Sequence, residues 1–137
     1  MKAVIQRVSK AKVSVDGVVT GSIGQGLMIL LGVAPYDTVE DAIYLAERCA
    51  KLRIFHDENG KMNLSLLDTD GECLVISQFT LCADCKKGNR PSFTPSEEPE
   101  RAKALYELYC SKLMEYGVKR VEKGVLYYGI IITALYM

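Results

Sequence analysis

The chain has 137 residues, 49% hydrophobic and 25% charged, with 17 basic side chains balanced by 17 acidic ones. That is the balance of one soluble globular domain, able to bury about two-thirds of its unfolded surface without a disulfide or metal staple. Zero net charge excludes a polybasic partner surface spread over the whole molecule, so any basic patch is local. The uncharged C-terminal run, residues 124–137, is shorter than the ~20 residues of a membrane-spanning helix. Residues 1–8 carry Lys2 and Arg7 but no apolar signal core. The expectation is a single domain over residues 1–137, cytoplasmic, with no membrane and no DNA partner. The cysteines Cys49, Cys73, Cys82, Cys85 and Cys110 are odd in number, which favours reduced thiols over a disulfide framework.

The first elements read as strands over residues 3–8, 12–15 and 18–23, the last two joined by Asp16-Gly17, a pair suited to a type I′ hairpin turn. After Gly24 and Gly26, residues 27–33 are almost continuously apolar, which predicts a central strand buried on both faces. Asp37-Thr38, followed by Glu40 and Asp41, signals a helix start. Ala42, Leu45, Ala46, Cys49 and Leu52 then repeat at helical spacing, predicting an amphipathic helix over about 38–52. Residues 53–55 read as a short strand, 57–60 as a turn, 61–67 as an extended segment and 73–81 as a second buried strand. A second helix begins near Pro99, carries Ala102, Leu105, Tyr109, Leu113 and Tyr116 on one stripe and stops at Gly117. Two helices and about seven strands, with early hairpin signals, predict an α+β fold: a rolled, mostly antiparallel sheet or barrel with two helices.

The chain's one histidine, His56, sits beside the 57–60 turn, where water exclusion is poor. Without it no serine, threonine or cysteine has an imidazole base, which excludes an ordinary Ser-His-Asp hydrolase. Cys82-Ala83-Asp84-Cys85 has the spacing of half a zinc site or of a redox pair. No second pair accompanies it and no helix start follows, so plain thiols are expected and neither a metal nor a cofactor. Residues 86–93 gather Lys86, Lys87 and Arg90 around Gly88-Asn89, ahead of Pro91, Ser92 and Phe93. This is either a phosphate-gripping loop or a solvated one anchored by Phe93. Ser77, Gln78, Phe79 and Thr80 end a largely apolar strand. On strand periodicity they alternate between faces, while a strand end would let them converge. Buried polar groups need partners, so the cluster is either a satisfied structural network or a ligand site.

Six blocks stand in one order: Ile5-Gln6-Arg7-Val8, Gly24-x-Gly26-Leu27 with Leu31-Gly32-Val33, Arg53-Ile54-Phe55, Gly60-Lys61-Met62-Asn63-Leu64, Ser77-Gln78-Phe79-Thr80-Leu81 and Gly88-x-Arg90-Pro91-Ser92-Phe93. Over about residues 1–124 the chain resembles the D-aminoacyl-tRNA deacylases of bacteria and eukaryotes. The resemblance implies a homodimeric esterase that binds the 3′-terminal aminoacyl-adenosine of tRNA. Its activity would be to release D-amino acids, and glycine mischarged on tRNA-Ala, as translation quality control. It implies that Ser77, Gln78, Phe79 and Thr80 line the catalytic pocket, with main-chain N–H groups near Phe79 and Thr80 on the ester carbonyl. Thr80 is also a candidate nucleophile, although the substrate's own 2′-hydroxyl is the family's usual aid to water activation. Arg7, Met62, Arg90, Pro91, Ser92 and Phe93 would contact substrate, Arg7 chiefly by orienting the loop that reads chirality.

One departure stands out. The family ends in an Asn-x-Gly-Pro-x-Thr segment whose proline is cis and whose Gly-Pro blocks L side chains in the partner's pocket. Here Pro35, Pro91, Pro95 and Pro99 follow Ala34, Arg90, Thr94 and Glu98, so the chain has no Gly-Pro, and residues 125–137 form an uncharged, β-prone tail. The expectation is weaker chiral discrimination or poor folding, and an aggregation hazard if the tail cannot pair as a strand. The alternatives are a catalytically impaired tRNA 3′-end-binding protein that has lost its chiral gate, and an acyl hydrolase of small esters. Thr80→Ala with Gln78→Ala separates the first of these, since an esterase loses rate where a binder loses at most affinity.

Overall fold

The computed structural model describes residues 1–82, 85–92, 98–124 and 130–136. Strand β1 (Lys2–Val15) turns at Asp16 and Gly17 into β2 (Val18–Ile23) and then β3 (Gly26–Gly32). Asp16 and Gly17 have φ of 51° and 80°, the two positive values a type I′ turn requires. Residues 3–8 and 12–15 are therefore one strand, not two. Ala11 stands opposite Ile23 and Val8 opposite Gly26 in one register, so β2 and β3 form one antiparallel partner interrupted at Gly24 and Gln25, with a register shift at Val13 and Ser14 nearer the turn.

Helix α1 (Val39–Lys51) follows, capped by Thr38. The Asp41 N–H donates to Thr38 Oγ1 at 3.2 Å and the Thr38 N–H to Asp41 Oδ2 at 2.9 Å, a capping box that satisfies two otherwise orphaned donors. Strands β4 (Phe55–His56) and β5 (Met62–Leu64) form a small hairpin. The extended segment expected over 61–67 ends at Leu64, because Ser65 and Asp68 close a turn. The Ser65 N–H and hydroxyl donate to Asp68 Oδ2 at 2.8 and 3.0 Å, a local alternative to strand pairing.

Strand β6 (Glu72–Ser77) pairs parallel with β3, and after helix α2 (Pro99–Glu115) strand β7 (Val121–Lys123) pairs parallel with β6. The sheet is thus mixed: antiparallel around β1 and parallel across β3, β6 and β7. Strand β8 (Ile130–Tyr136) pairs antiparallel with β1 from Val8 to Val15. Ala11 to Val15 already pair with β2, so β8 takes the opposite edge.

The sheet rolls on itself. A Cβ on Gly21 of β2 would lie 3.1 Å from the Lys123 carbonyl of β7 and 3.2 Å from Leu74 of β6, which marks where the roll nearly closes. Inside it Val8, Ala11, Val13, Ile23, Met28, Leu74 and Ile76 pack together. On the outer face α1 and α2 cover a larger core, including Leu27, Ile29, Leu31, Cys73 and Val75 from the sheet with Ala46, Cys49, Tyr109 and Leu113 from the helices. Tyr106 Oη donates to the Val75 carbonyl at 2.7 Å and to the Gly124 carbonyl at 3.3 Å, tying α2 to β6 and to the end of β7.

Candidate functional site

The Ser-Gln-Phe-Thr segment begins where β6 stops. Leu31 pairs with Ser77, the Gln78 N–H donates to the Leu31 carbonyl at 2.8 Å, and a 3-10 turn over Phe79–Cys82 opens with the Leu81 N–H on the Gln78 carbonyl at 3.3 Å. The four residues therefore converge by strand termination, and the alternation expected of a continuous strand gives way at Gln78. Gln78 Nε2 donates to Thr80 Oγ1. Ser77 and Gln78 are half-buried, Phe79 is 39% exposed and Thr80 is exposed, so the turn presents its polar side outward on a rigid base.

What fixes this base is Gly32. A Cβ there would stand 2.9 Å from Leu81 Cβ and 3.3 Å from both Cys82 Sγ and the Gln78 carbonyl. Only a residue without a side chain lets the turn lie this close to β3. Lys2 Nζ adds a bond to the Leu81 carbonyl at 3.3 Å. The Thr80 N–H precedes the first bond of the turn, and such a leading donor lacks a partner within its own helix.

The remaining expected site residues fall in two places. Arg7 Nη1 donates to the Ile54 carbonyl at 2.7 Å and lies 3.4 Å from His56 Nε2. His56 pairs with Met62 across the β4–β5 hairpin, and Met62 is 60% exposed. Arg7, His56, Phe55, Gln25 and Thr69 line a cleft of about 130 Å³. Arg7 stands opposite Leu27 and Ser77 opposite Leu31, four residues or roughly 13 Å along the sheet. Within one chain the structure therefore gathers Arg7 with Met62, and Ser77 with Thr80, as separate groups. Arg90, Pro91 and Ser92 lie on an exposed loop with Lys86 and Lys87, Gly88 at φ 109° turning it. Phe93, Ala83 and Asp84 lie outside the described residues.

The sequence places His56 at a turn with no partner in view, whereas the structure sets it against Arg7. No motif signals this contact, because β1 and β4 meet only in the tertiary fold. Gly32 was noted within a block but not as the spacer of the turn. The side chains of Tyr44, Arg48 and Lys51 also escaped notice, although their spacing of four and three residues places them on one helical face. With Glu47, Leu52 and Arg53 they line a groove of about 490 Å³.

The thiols offer little chemistry. Cys49, Cys73, Cys82 and Cys110 are buried and Cys85 is exposed, all unpaired. Burial pushes the Cys49 and Cys73 thiols up and Cys110 up to about 12, which removes the thiolate that attacks carbonyls or binds metal. Among the described residues no cluster of three metal-ligating side chains occurs. What the geometry offers is backbone donors on a fixed turn with hydroxyl and amide side chains beside them, an arrangement suited to a developing oxyanion.

Comparison with known proteins agrees in kind. Residues 4–129 match the family model described as D-Tyr-tRNA(Tyr) deacylase. Relatives named D-aminoacyl-tRNA deacylase are 54% identical in Fervidobacterium nodosum and 56% in Anaeromyxobacter dehalogenans, each over 125 residues, 91% of this chain and 83% of theirs. Another of that name in Persephonella marina is 60% identical over 116 residues, 85% of this chain and 79% of its own. A solved structure described as c-Myc DNA Unwinding Element Binding Protein superposes with a TM-score of 0.91 at 34% identity, covering 98% of this chain and 91% of that one. One of a probable eukaryotic D-amino acid tRNA deacylase gives 0.80 at 16% identity over 98% and 92%, a likeness of fold.

Proposed function

Because the chain belongs to the D-Tyr-tRNA(Tyr) deacylase family, we propose that it hydrolyses the ester of D-aminoacyl-tRNA, and of glycyl-tRNA mischarged on tRNA-Ala, releasing the amino acid and free tRNA. The observation that carries this reading is identity above one-half with relatives named D-aminoacyl-tRNA deacylase over nine-tenths of the chain, with the Ser77–Thr80 signature set on a fixed turn.

In this reading the substrate ester lies over the 3-10 turn. The Phe79 and Thr80 N–H groups hold the carbonyl oxygen as it gains charge, each such donor supplying on the order of 10²–10³ in rate. The aminoacyl ester is intrinsically reactive, so water aided by the substrate's 2′-hydroxyl attacks without a side-chain base. His56 is committed to the neighbourhood of Arg7 and takes no part. A 2′-hydroxyl requirement also selects RNA over DNA. Ser77 and Gln78 shape the pocket, Gln78 by holding the Thr80 hydroxyl. Arg7, Met62, Arg90, Pro91, Ser92 and Phe93 contact or orient substrate.

The working unit is a cytoplasmic homodimer. Val4 on β1 is 50% exposed, an apolar side chain that a second copy of the chain would cover. Without a Gly-Pro in the sequence, L-aminoacyl esters meet a weakened steric gate.

The test is deacylation of matched D-Tyr-tRNA and L-Tyr-tRNA by the purified protein. Cleavage of both esters is the expected result. Cleavage of D alone would show that another element replaces the gate, and cleavage of neither by a soluble dimer would refute the esterase reading in favour of tRNA-end binding. Thr80→Ala should reduce the rate less than tenfold if the main-chain N–H carries the effect, and by far more if its hydroxyl is the nucleophile.

A further inference from the structure

A cationic groove lies at the C-terminal turn of α1, and nothing in the hydrolytic reading uses it. Arg48, Lys51 and Arg53 line it against one carboxylate, Glu47, which pairs with Lys51 at 2.7 Å. Arg48 has no hydrogen bond or ion pair among the described residues. Arg53 is held from behind: its Nε donates to the Asn63 carbonyl at 2.8 Å and its Nη2 to Asn63 Oδ1. Asn63 is braced in turn by a bond to Asp57 Oδ2 at 3.1 Å. A guanidinium fixed on one edge keeps its other edge preorganised for an anion. Lys51 Nζ also lies 5.8 Å from the Tyr116 ring centroid, which restrains a third cation. Tyr44, 63% exposed, and half-buried Leu52 complete the lining.

In a chain of zero net charge, three cations around one groove are a local segregation. We propose that this groove binds the phosphodiester backbone of the tRNA substrate inward of its aminoacyl end. The proposal rests on the deacylase reading and extends it to a second contact. Its placement follows from the fold. The N-terminal end of α1 follows β3, whose Gly32 touches the Leu81 turn. The groove lies at the other end of a 13-residue helix, about 20 Å along its axis. Arg53 in the groove also precedes Ile54, whose carbonyl accepts the Arg7 bond, so the groove adjoins the Arg7 group and not the Ser77–Thr80 turn. Arginine forks and a tyrosine hydroxyl are suited to phosphate oxygens, which set register without reading sequence.

The experiment uses Arg48→Glu combined with Lys51→Glu, with Arg48→Lys as the charge-preserving control. Binding of uncharged tRNA is measured across a salt series, and hydrolysis of 3′-D-tyrosyl-adenosine is measured alongside. The double variant should weaken tRNA binding by about tenfold and lower the slope of log Kd against log salt by about two, while Arg48→Lys keeps the slope. Hydrolysis of the adenosine ester should stay within about twofold of wild type, since that substrate does not reach the groove. Unchanged tRNA affinity and slope in the double variant would overturn the groove while leaving the deacylase reading intact. Tighter groove-dependent binding of duplex DNA of equal length, or of an acidic peptide, would overturn RNA as the occupant. A wild-type protein that binds tRNA through the groove but cleaves neither ester would retire the deacylase reading alone.

Discussion

Gly32→Ala probes the link between packing and catalysis most directly. The added methyl would sit 2.9 Å from Leu81 Cβ and 3.3 Å from the Gln78 carbonyl, whereas carbon atoms pack at about 3.5–4.0 Å. The deficit against Leu81 is therefore about 0.6–1.1 Å, and neither neighbour is the free end of a flexible side chain, so the 3-10 turn itself has to move. Overpacking of this kind destabilises by about 1–3 kcal/mol. The same displacement carries the Phe79 and Thr80 N–H groups away from the position proposed for the ester carbonyl, and a misplacement near 1 Å can lower rate by about 10²-fold. Denaturant unfolding at 25 °C and kcat/KM on D-Tyr-tRNA, measured on one preparation, check the two effects together. A variant that loses 1–3 kcal/mol yet keeps its rate within about threefold would refute the claim that the turn positions the catalytic donors. One that loses rate without any loss of stability would refute the steric argument.

Four further outcomes follow from particular contacts. Thr38→Ala removes the capping box of α1 and should lower stability by about 1 kcal/mol with kcat unchanged, as read by urea midpoint and turnover. Tyr106→Phe deletes the bonds to the Val75 and Gly124 carbonyls; because the Gly124 N–H still donates to Val75, the loss should stay near 1 kcal/mol. A thiol reagent should titrate Cys85 alone in the native protein and all five cysteines in denaturant. Hydrogen bonds to Asp41 from Thr38, to Asp57 chiefly from Lys61, and to Asp68 from Ser65 hold these carboxyls below their usual value. Their stabilising contribution is thus present above the unfolded carboxylate range near pH 4 and is lost as pH falls through the lower folded values. Melting temperature should fall on acidification below about pH 4, less steeply in Asp68→Asn.

Local signals were legible wherever one chemical group decided the structure. Asp16-Gly17, Thr38 with Asp41, Pro99 and Gly117 each mark a terminus whose hydrogen bonds or φ angles are settled by near neighbours. Pairings between distant strands were not. The two-sided apolar content of residues 27–33 and 73–76 is the pattern of parallel neighbours, yet nothing in the sequence says that β3 and β6 are those neighbours. The single strand over Lys2–Val15 was hidden by Ser9 and Lys10, which are exposed and lie where the pairing with β8 shifts register, an irregularity the strand runs through without ending. At the candidate site, Ser77–Thr80 was visible as residue types, while its geometry depends on a glycine 45 positions earlier. The contact of Arg7 with Ile54 and His56 likewise joins elements that only the fold brings together.

The tail shows how folding and selectivity separate. Read as sequence, residues 125–137 threatened both at once: an uncharged β-prone run promotes aggregation if unpaired, and its lack of Gly-Pro removes the expected gate. In the structure Ile130–Tyr136 lies antiparallel along the edge of β1 that β2 leaves open, with Ala11 opposite Ala134 and Val15 opposite Ile130. An open edge there would be a template for other chains, so the β propensity that made the tail hazardous covers that edge of β1. The hazard depended on a failure to pair, and the strand is paired. Weakened discrimination between D and L esters therefore remains the expectation for the altered ending. If deleting residues 130–137 caused aggregation without changing the D-to-L ratio of the protein that stays soluble, the tail's role would be edge protection alone. If the ratio fell further, the tail would also contribute to the gate.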